Sequence, residues 1–328
     1  MVTASVVICT HNRAGLIGRA VEAAVAEARV GGGDVLVVDN ASSDETPAVL
    51  ARLAATHAPV LRVVREPELG LSVARNRALR EVRHEIAAFL DDDAVPRPGW
   101  LAALCLPYAD AAVACVGGRI RLQFASPPPS WLVPALHSAL SAFDAGDTPR
   151  RLRYGRDTYP YGANISYRVT SAGSCGGFSP RVGLRGRSQL QHEETDLCYR
   201  LEHAGGEVHY APDAVVDHHI APERLTPAWF LTRHRRGGES AAIFVLRSRG
   251  LARALWRIRW LYGHALLTAP YVPTEPIDAR RLAAECQRQE ALGYLVGLAR
   301  ALPRMRTLRR EAAEVASVAR TSALGAAG

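Results

Sequence analysis

Phe89-Leu90-Asp91-Asp92-Asp93-Ala94-Val95-Pro96-Arg97-Pro98-Gly99-Trp100 is the stretch on which the fold turns. The apolar run Ile86–Leu90 reads as a β-strand, and it stops at three adjacent carboxylates. A strand ending in clustered acids puts hard oxygen ligands at the carboxyl edge of a sheet, where open α/β sheets bind their ligands. Adjacent acids repel one another unless a proton or a divalent cation offsets them, so the cluster asks for Mg2+ or Mn2+. Taken alone, three aspartates are as readily a solvated turn, and the rest of the chain decides.

Upstream the same pattern recurs. Ala4–Cys9 is a continuous apolar, β-branched run, Leu16–Ala28 has helical periodicity, and Val35–Val38 is a second strand ending at Asp39. Thr46–His57 reads as a helix with Asp44 and Thr46 as caps, followed by strand Leu61–Val64 and helix Ser72–Arg83. This alternation predicts an α/β fold, a doubly wound and mostly parallel sheet flanked by helices. Ligand-type residues follow three of the strands: Thr10-His11-Asn12-Arg13, Asp39-Asn40 and Asp91–Asp93. Beyond the acids, Gly99–Ala112 is expected to be helical and Val113–Leu122 extended. Ala125–Arg156 is irregular around Pro127-Pro128-Pro129, with a short apolar helix near Trp131–Phe143, and suits a lid or binding element. Tyr161–Val216 returns to sheet and helix. Helical patterns over Pro227–Leu246, Leu251–Leu267, Asp278–Leu302 and Met305–Ala319 close the chain.

The 328 residues are 48% hydrophobic and 22% charged, an ordinary globular composition with no lysine. Residues 1–219 hold 22 arginines and 24 acids; residues 220–328 hold 18 arginines and 8 acids, so the net charge of +8 resides in the last third. A basic tail suits an anionic surface or ligand. The neutral-to-acidic remainder argues against a nucleic-acid binder. Val2–Thr10 has no basic flank and reads as a strand rather than a secretory signal, and no uncharged apolar run reaches about 18 residues. Cys9, Cys105, Cys115, Cys175, Cys198 and Cys286 lack metal spacing, and reduced core thiols in a cytoplasmic protein are expected. Thr10–Arg13 has no glycine before Gly15, which excludes a dinucleotide fingerprint and a Walker loop. Its hydroxyl, amide and guanidinium suit a nucleoside. The same gap weighs against a sugar-phosphate nucleotidyltransferase, which needs a Gly- and Arg/Lys-rich loop there for a triphosphate.

Seven blocks then appear in order: CTHNR (Cys9–Arg13), VVDNASSDET (Val37–Thr46), GLSVARN (Gly70–Asn76), FLDDDAVPRPGW (Phe89–Trp100), GANIS (Gly162–Ser166), GGF (Gly176–Phe178) and HEETDLCYRL (His192–Leu201). Over roughly residues 1–245 the chain resembles family-2 inverting glycosyltransferases of the GT-A fold. The resemblance implies a catalytic domain over 1–222, with a nucleotide-binding half (1–100) and an acceptor half (113–222) carrying an insertion at 125–158. A basic helical region, 223–328, follows. It implies a nucleotide-diphosphate sugar donor of UDP, dTDP or GDP type and transfer of one sugar to an acceptor hydroxyl. The QxxRW block and membrane helices of processive synthases are absent from the sequence.

By position, Thr10, Asn12, Arg13, Asp39 and Arg75 match residues that hold the base and ribose, with Asp92 near the ribose. Asp91 and Asp93 match the DxD that binds the cation, with Asp93 the first choice for coordination and His218, favoured over His219 by alternation from Ala214 and Val216, as third ligand. Glu193-Glu194 matches the acid pair that supplies the base, and Glu194 aligns with it. Two glutamates replace the commoner Glu-Asp and His192 stands where glycine is frequent, which leaves both acids open. Asn164, Trp131 and Arg236 are assigned to the donor or acceptor sugar, with Arg233 and Arg235 joining Arg236 over the diphosphate. The tail, where Arg247, Arg249, Arg253, Arg257 and Arg259 surround Trp256, Trp260 and Tyr262 ahead of Ala265-Leu266-Leu267, suits packing on the domain, a homodimer or peripheral membrane contact. The acceptor (lipid, polysaccharide, protein or small natural product) is not named by these residues.

Overall fold

The structure is a computed structural model that describes residues 2–179, 184–185, 188–189, 192–265, 269–305, 307 and 310. Its strands are β1 (Ala4–Thr10), β2 (Asp34–Asn40), β3 (Leu61–Glu66), β4 (Ile86–Asp91), β5 (Ala94–Pro96), β6 (Val113–Phe124), β7 (Arg150–Leu152), β8 (Asn164–Arg168), β9 (Leu184–Arg185), β10 (Ser188–Gln189) and β11 (Glu207–Ile220). The helices are α1 (Ile17–Gly31), α2 (Thr46–His57), α3 (Leu71–Glu81), α4 (Trp100–Cys105), α5 (Val169–Ser174), α6 (Glu193–His203), α7 (Pro227–Ala265) and α8 (Ala279–Ala301). One mixed sheet runs in the order β3-β2-β1-β4-β8-β6-β11-β5, with β7 also on β11. β1 to β4 pair in parallel, while β8 inserts antiparallel between β4 and β6. Apolar β-branched residues dominate β1 and β2 because both faces of these strands are covered.

Register sets the rest. Thr10 stands opposite Asp39, and Cys9 opposite Asp91, so the ends of three neighbouring strands share one edge. β11 bulges between Ala211 and Val215 along β6, then pairs antiparallel with β5, with His218 opposite Ala94. The bulge re-aims the strand, and the three-residue β5, hidden in the sequence by its brevity, ties it to the acid triplet.

Several expectations shift. The helix expected over Gly99–Ala112 is α4 plus a 3₁₀ turn, Leu106–Ala109. Pro107 lacks the N–H that would continue the α ladder. β6 runs two residues past Leu122, and the apolar helix near Trp131 is a 3₁₀ stretch, Pro134–Leu140. The two tail helices meet end to end in α7, broken at Gly250 (φ 81°, ψ 175°), which only glycine adopts readily. Leu266–Leu267, the side chains of Trp260, Tyr262 and Ala265, and almost all of the helix expected after Met305 lie outside the described residues.

The C-terminal helices are welded to the central sheet. Trp131, Leu136 and Leu140 of the insertion share a core with Ile220, Phe230, Leu282 and Cys286. A second core joins Phe244 and Val245 of α7 to Tyr294 and Leu298 of α8, with Tyr154 and Tyr199 packed against it. The helices touch backbone to backbone: a Cβ at Gly293 would lie 1.9 Å from the Arg235 carbonyl oxygen, and one at Gly238 equally close to that of Glu290. Gly293→Ala is therefore expected to destabilise the protein by about 1–3 kcal/mol, read as a lower urea midpoint. An unchanged midpoint would mean that the pair separates without cost.

Candidate active site

The N-terminus of α6 delivers Glu193 and Glu194 to the same edge. His192 precedes them in the left-handed region (φ 84°), which explains why glycine is frequent there. Both acids converge on one cation. Arg75 Nη1 donates to Glu194 Oε1 at 2.8 Å and to Glu193 Oε1 at 3.2 Å, and its Nη2 lies 3.7 Å from Asp91. The guanidinium is buried, with Phe178 at 5.3 Å and Phe89 at 6.0 Å from its carbon. Burial alone would lower its pKa, but Glu194, Glu193 and Asp91 more than reverse this and keep it charged. Arg75 thus lies among the acids, whereas the sequence places it at the base and ribose.

The two glutamates differ in access. The Glu193 side chain is 5% exposed and that of Glu194 16%. Burial, then the charge of Glu194, pushes the Glu193 carboxyl well above the usual range against the pull of Arg75, so Glu193 favours its neutral form. Gly162 makes room for the pair: a Cβ there would sit 2.1 Å from Arg75 Nη2 and 2.2 Å from Glu194 Oε1. The GLSVARN and GGF blocks meet in the same place, because Asn76 accepts from the Phe178 N–H and donates to its carbonyl, both at 2.8 Å.

On the other side of Arg75, Asp91, Asp93 and His218 present ligand atoms that all lie within 4.8 Å of one another. His218 Nδ1 is 3.0 Å from the Leu140 carbonyl oxygen, an acceptor only, so Nδ1 carries a proton and Nε2 faces Asp93 Oδ1 at 3.1 Å. Burial lowers the His218 pKa, but the bond to Asp93 and its charge raise it further. Burial pushes Asp93 up, yet His218 and Arg224 hold it below the ordinary value. Asp91 opens into the cleft with 39% of its side chain exposed; loss of hydration deep in the cleft and then Asp93 raise its pKa against Arg75. Burial and Asp93 push Asp92 up to about 7. Carboxylates crowded to this degree, beside an imidazole whose Nε2 points at them and can exchange its proton for a metal, fit a divalent cation with an O,O,N donor set. Arg224, 3.1 Å from Asp93, escaped the sequence reading because nothing in the run Pro222-Glu223-Arg224 sets it apart.

At the end of β1 the Thr10 hydroxyl donates to Asp92 at 2.7 Å, and Arg13 lies 3.8 Å from the same carboxylate. Asn12 accepts from the Ser43 N–H at 2.8 Å, and Asp39 accepts from the Ser42 N–H at 3.1 Å, so the two strand-end loops brace each other.

Two of the three assignments to the sugar change, those of Asn164 and Trp131. Asn164 is buried and fully engaged: it accepts from Trp100 Nε1 at 2.8 Å and donates to the carbonyls of Ala214 and Arg119 at 2.7 and 3.0 Å. It stitches the β11 bulge, and Gly118, where a Cβ would meet the Ala214 carbonyl at 2.0 Å, permits the approach. Trp131 is buried edge-on against Phe230, with ring centres 5.4 Å apart, and presents no free face. Arg236 is half-buried with no ion-pair partner among the described residues, and Arg235 turns to Gln289 at 3.0 Å. Arg233 is the arginine of this trio on which Glu193 and Glu194 act.

A parallel half whose last strand delivers acids, completed by an antiparallel strand and a helix carrying more acids, is the arrangement of the GT-A fold. The chain belongs to glycosyl transferase family 2, whose sequence model matches residues 5–174. The pre-mycofactocin glycosyltransferase of Mycobacterium tuberculosis is 30% identical over 212 residues, 64% of this chain. The chain spans 42% of that relative's length. The succinoglycan biosynthesis protein ExoM of Rhizobium meliloti is 27% identical over 227 residues, 68% of this chain and 69% of its own. The mannosyltransferase PcManGT from Pyrobaculum calidifontis, solved with GDP-Man and Mn2+, is similar in fold with a TM-score of 0.54 at 21% identity, covering 98% of this chain and 86% of that one.

Arg75→Leu is expected to cost about 3–5 kcal/mol of stability, because it leaves buried acids without their cation. Chemical denaturation measures this, and a loss below 1 kcal/mol would show that the acids rearrange into water.

Proposed function

We propose that the protein is a metal-dependent, inverting glycosyltransferase that moves one sugar from a nucleotide-diphosphate donor to an acceptor hydroxyl. The observation that carries this reading is the convergence of two groups at one sheet edge, bridged by Arg75: the Asp91/Asp93/His218 donor set, and Glu194. In this reading residues 1–222 perform the transfer and 223–328 are the basic helical extension. Asp91, Asp93 and His218 would hold Mn2+ or Mg2+, which supplies positive charge against a leaving diphosphate. Thr10, Asn12, Arg13, Asp39 and Asp92, clustered where β1, β2 and β4 end, take the nucleoside.

Glu194 is the base. Its carboxylate reaches the cleft, and the Arg75 bond holds one oxygen so that the other is free for the acceptor proton. As the acceptor oxygen bonds to the anomeric carbon, the bond from that carbon to the diphosphate breaks on the opposite face and the hydroxyl proton passes to Glu194. Glu193, protonated, keeps the pair from carrying two adjacent charges. Mn2+ in the crystal of PcManGT supports the metal part of this reading.

Glu194→Gln is expected to lower kcat by at least about a hundredfold with little change in donor affinity. Full turnover in that variant, with loss in Glu193→Gln, would move the base to Glu193. For the donor site, one of UDP, dTDP, GDP, CDP or ADP should stabilise the fold with Mn2+ and not with EDTA, by about 2.7 kcal/mol at a hundredfold excess over Kd, read as a higher melting temperature. No shift with any of them would remove the sugar-nucleotide site.

A further inference from the structure

The acid pair occupies one end of α6; the other end, about 16 Å away, is a second feature of the surface. There Tyr154, Arg156, Tyr199, His203, Arg249 and Arg253 line an open hollow of about 480 Å³. The nearby carboxylates are already engaged. Glu202 accepts from the Tyr154 N–H and from the Tyr159 hydroxyl, and Asp157 pairs with Arg150 at 2.9 Å. Arg156, Arg249 and Arg253 are exposed and make no ion pair with a carboxylate among the described residues, Arg156 acting on Asp157 only from farther off; the hollow thus carries three arginines against the one acid in its lining, Glu202. Arg249 lies over the Tyr154 ring at 5.2 Å and Arg253 over Trp256 at 4.8 Å, so aromatic faces hold the guanidiniums without neutralising them.

Just past the Gly250 break, Leu255 and Trp256 are 49% and 59% exposed, beside Arg253 and the exposed Arg259. The opposite side of this turn is packed, with Ala254 buried and its carbonyl accepting from the Tyr294 hydroxyl at 3.2 Å. The outward face is therefore held in place by the α7–α8 core.

We propose that the hollow and the Leu255–Trp256 face form a docking surface for the headgroup layer of an anionic lipid bilayer. Unpaired guanidiniums fit lipid phosphates in a bidentate manner. A soluble phosphate compound would engage the arginines and leave Leu255 and Trp256 in water, whereas a bilayer interface takes both at once. The 18 arginines against 8 acids in residues 220–328 add long-range attraction of the same sign.

The test is co-sedimentation of the full chain with phosphatidylcholine vesicles, with and without phosphatidylglycerol, at low and high salt. Binding is expected only with phosphatidylglycerol and should weaken with salt. Arg253→Gln and Arg156→Gln should each lower partitioning about fivefold, and Trp256→Ser should also lower it. Arg52→Gln, an exposed arginine of α2, should not. Melting temperatures check that every variant is folded. The proposal is overturned if anionic vesicles do not bind the parent protein at low salt, or if the three variants bind as the parent does. It is also overturned if inorganic phosphate releases the protein at unchanged ionic strength, which assigns the hollow to a soluble anion. An oligonucleotide bound through the same arginines while vesicles are ignored would reassign it to nucleic acid.

Discussion

One buried guanidinium organises the cleft. Among the described residues Arg75 is the arginine that pairs with Asp91, Glu193 and Glu194 together, while Arg233 acts on the two glutamates from farther off. Burial and the neighbouring charge of Glu194 push the Glu193 carboxyl up, toward its neutral form, and Asp91 opens to the cleft. The aromatic walls of Phe89 and Phe178 exclude water around the guanidinium, and Asn76 fixes Phe178. Segments from α3, β4, the GGF turn and α6 are thus positioned through one side chain.

The first half of the fold was legible because each parallel strand announces itself as an apolar run and stops at a polar ligand. The row formed by Thr10, Asp39 and Asp91 follows from that alone. His218 was legible for a related reason: period-two burial in β11 carries it inward with Ala214 and Val216. Arg75 was misplaced because its partners lie 118 and 119 residues away, a distance over which no local pattern reports. A signal did exist. Ala74, Arg75 and Ala78 form the buried stripe of α3, and an arginine in an inward stripe demands acids from elsewhere. Asn164 and Trp131 were misread in another way. Side chains able to touch a sugar are also able to satisfy a bulge or fill a core, and only the tertiary contacts separate the two uses.

The basic tail illustrates how composition and packing divide the work. Its glycines let α7 and α8 meet backbone to backbone, and its aromatic residues join the insertion and the sheet. Arginines on the packed side are used internally, as where Arg247 reaches Asp196 at 3.5 Å and Ser179 at 2.9 Å to clamp α6. Those on the outward side carry the uncompensated charge. No helix among the described residues is long and apolar enough to cross a membrane.

Gly118 and Gly162 each stand where a methyl would clash, the one against the β11 bulge at Ala214 and the other against Arg75 and Glu194. A side chain at Gly118 would begin with a collision against a backbone carbonyl, and one at Gly162 would have to push aside the ends of Arg75 and Glu194. Divergence among descendants of this chain would accordingly be lopsided, fixed at these two points and freer where side chains can be exchanged one at a time, a ratchet set by the absence of a carbon atom.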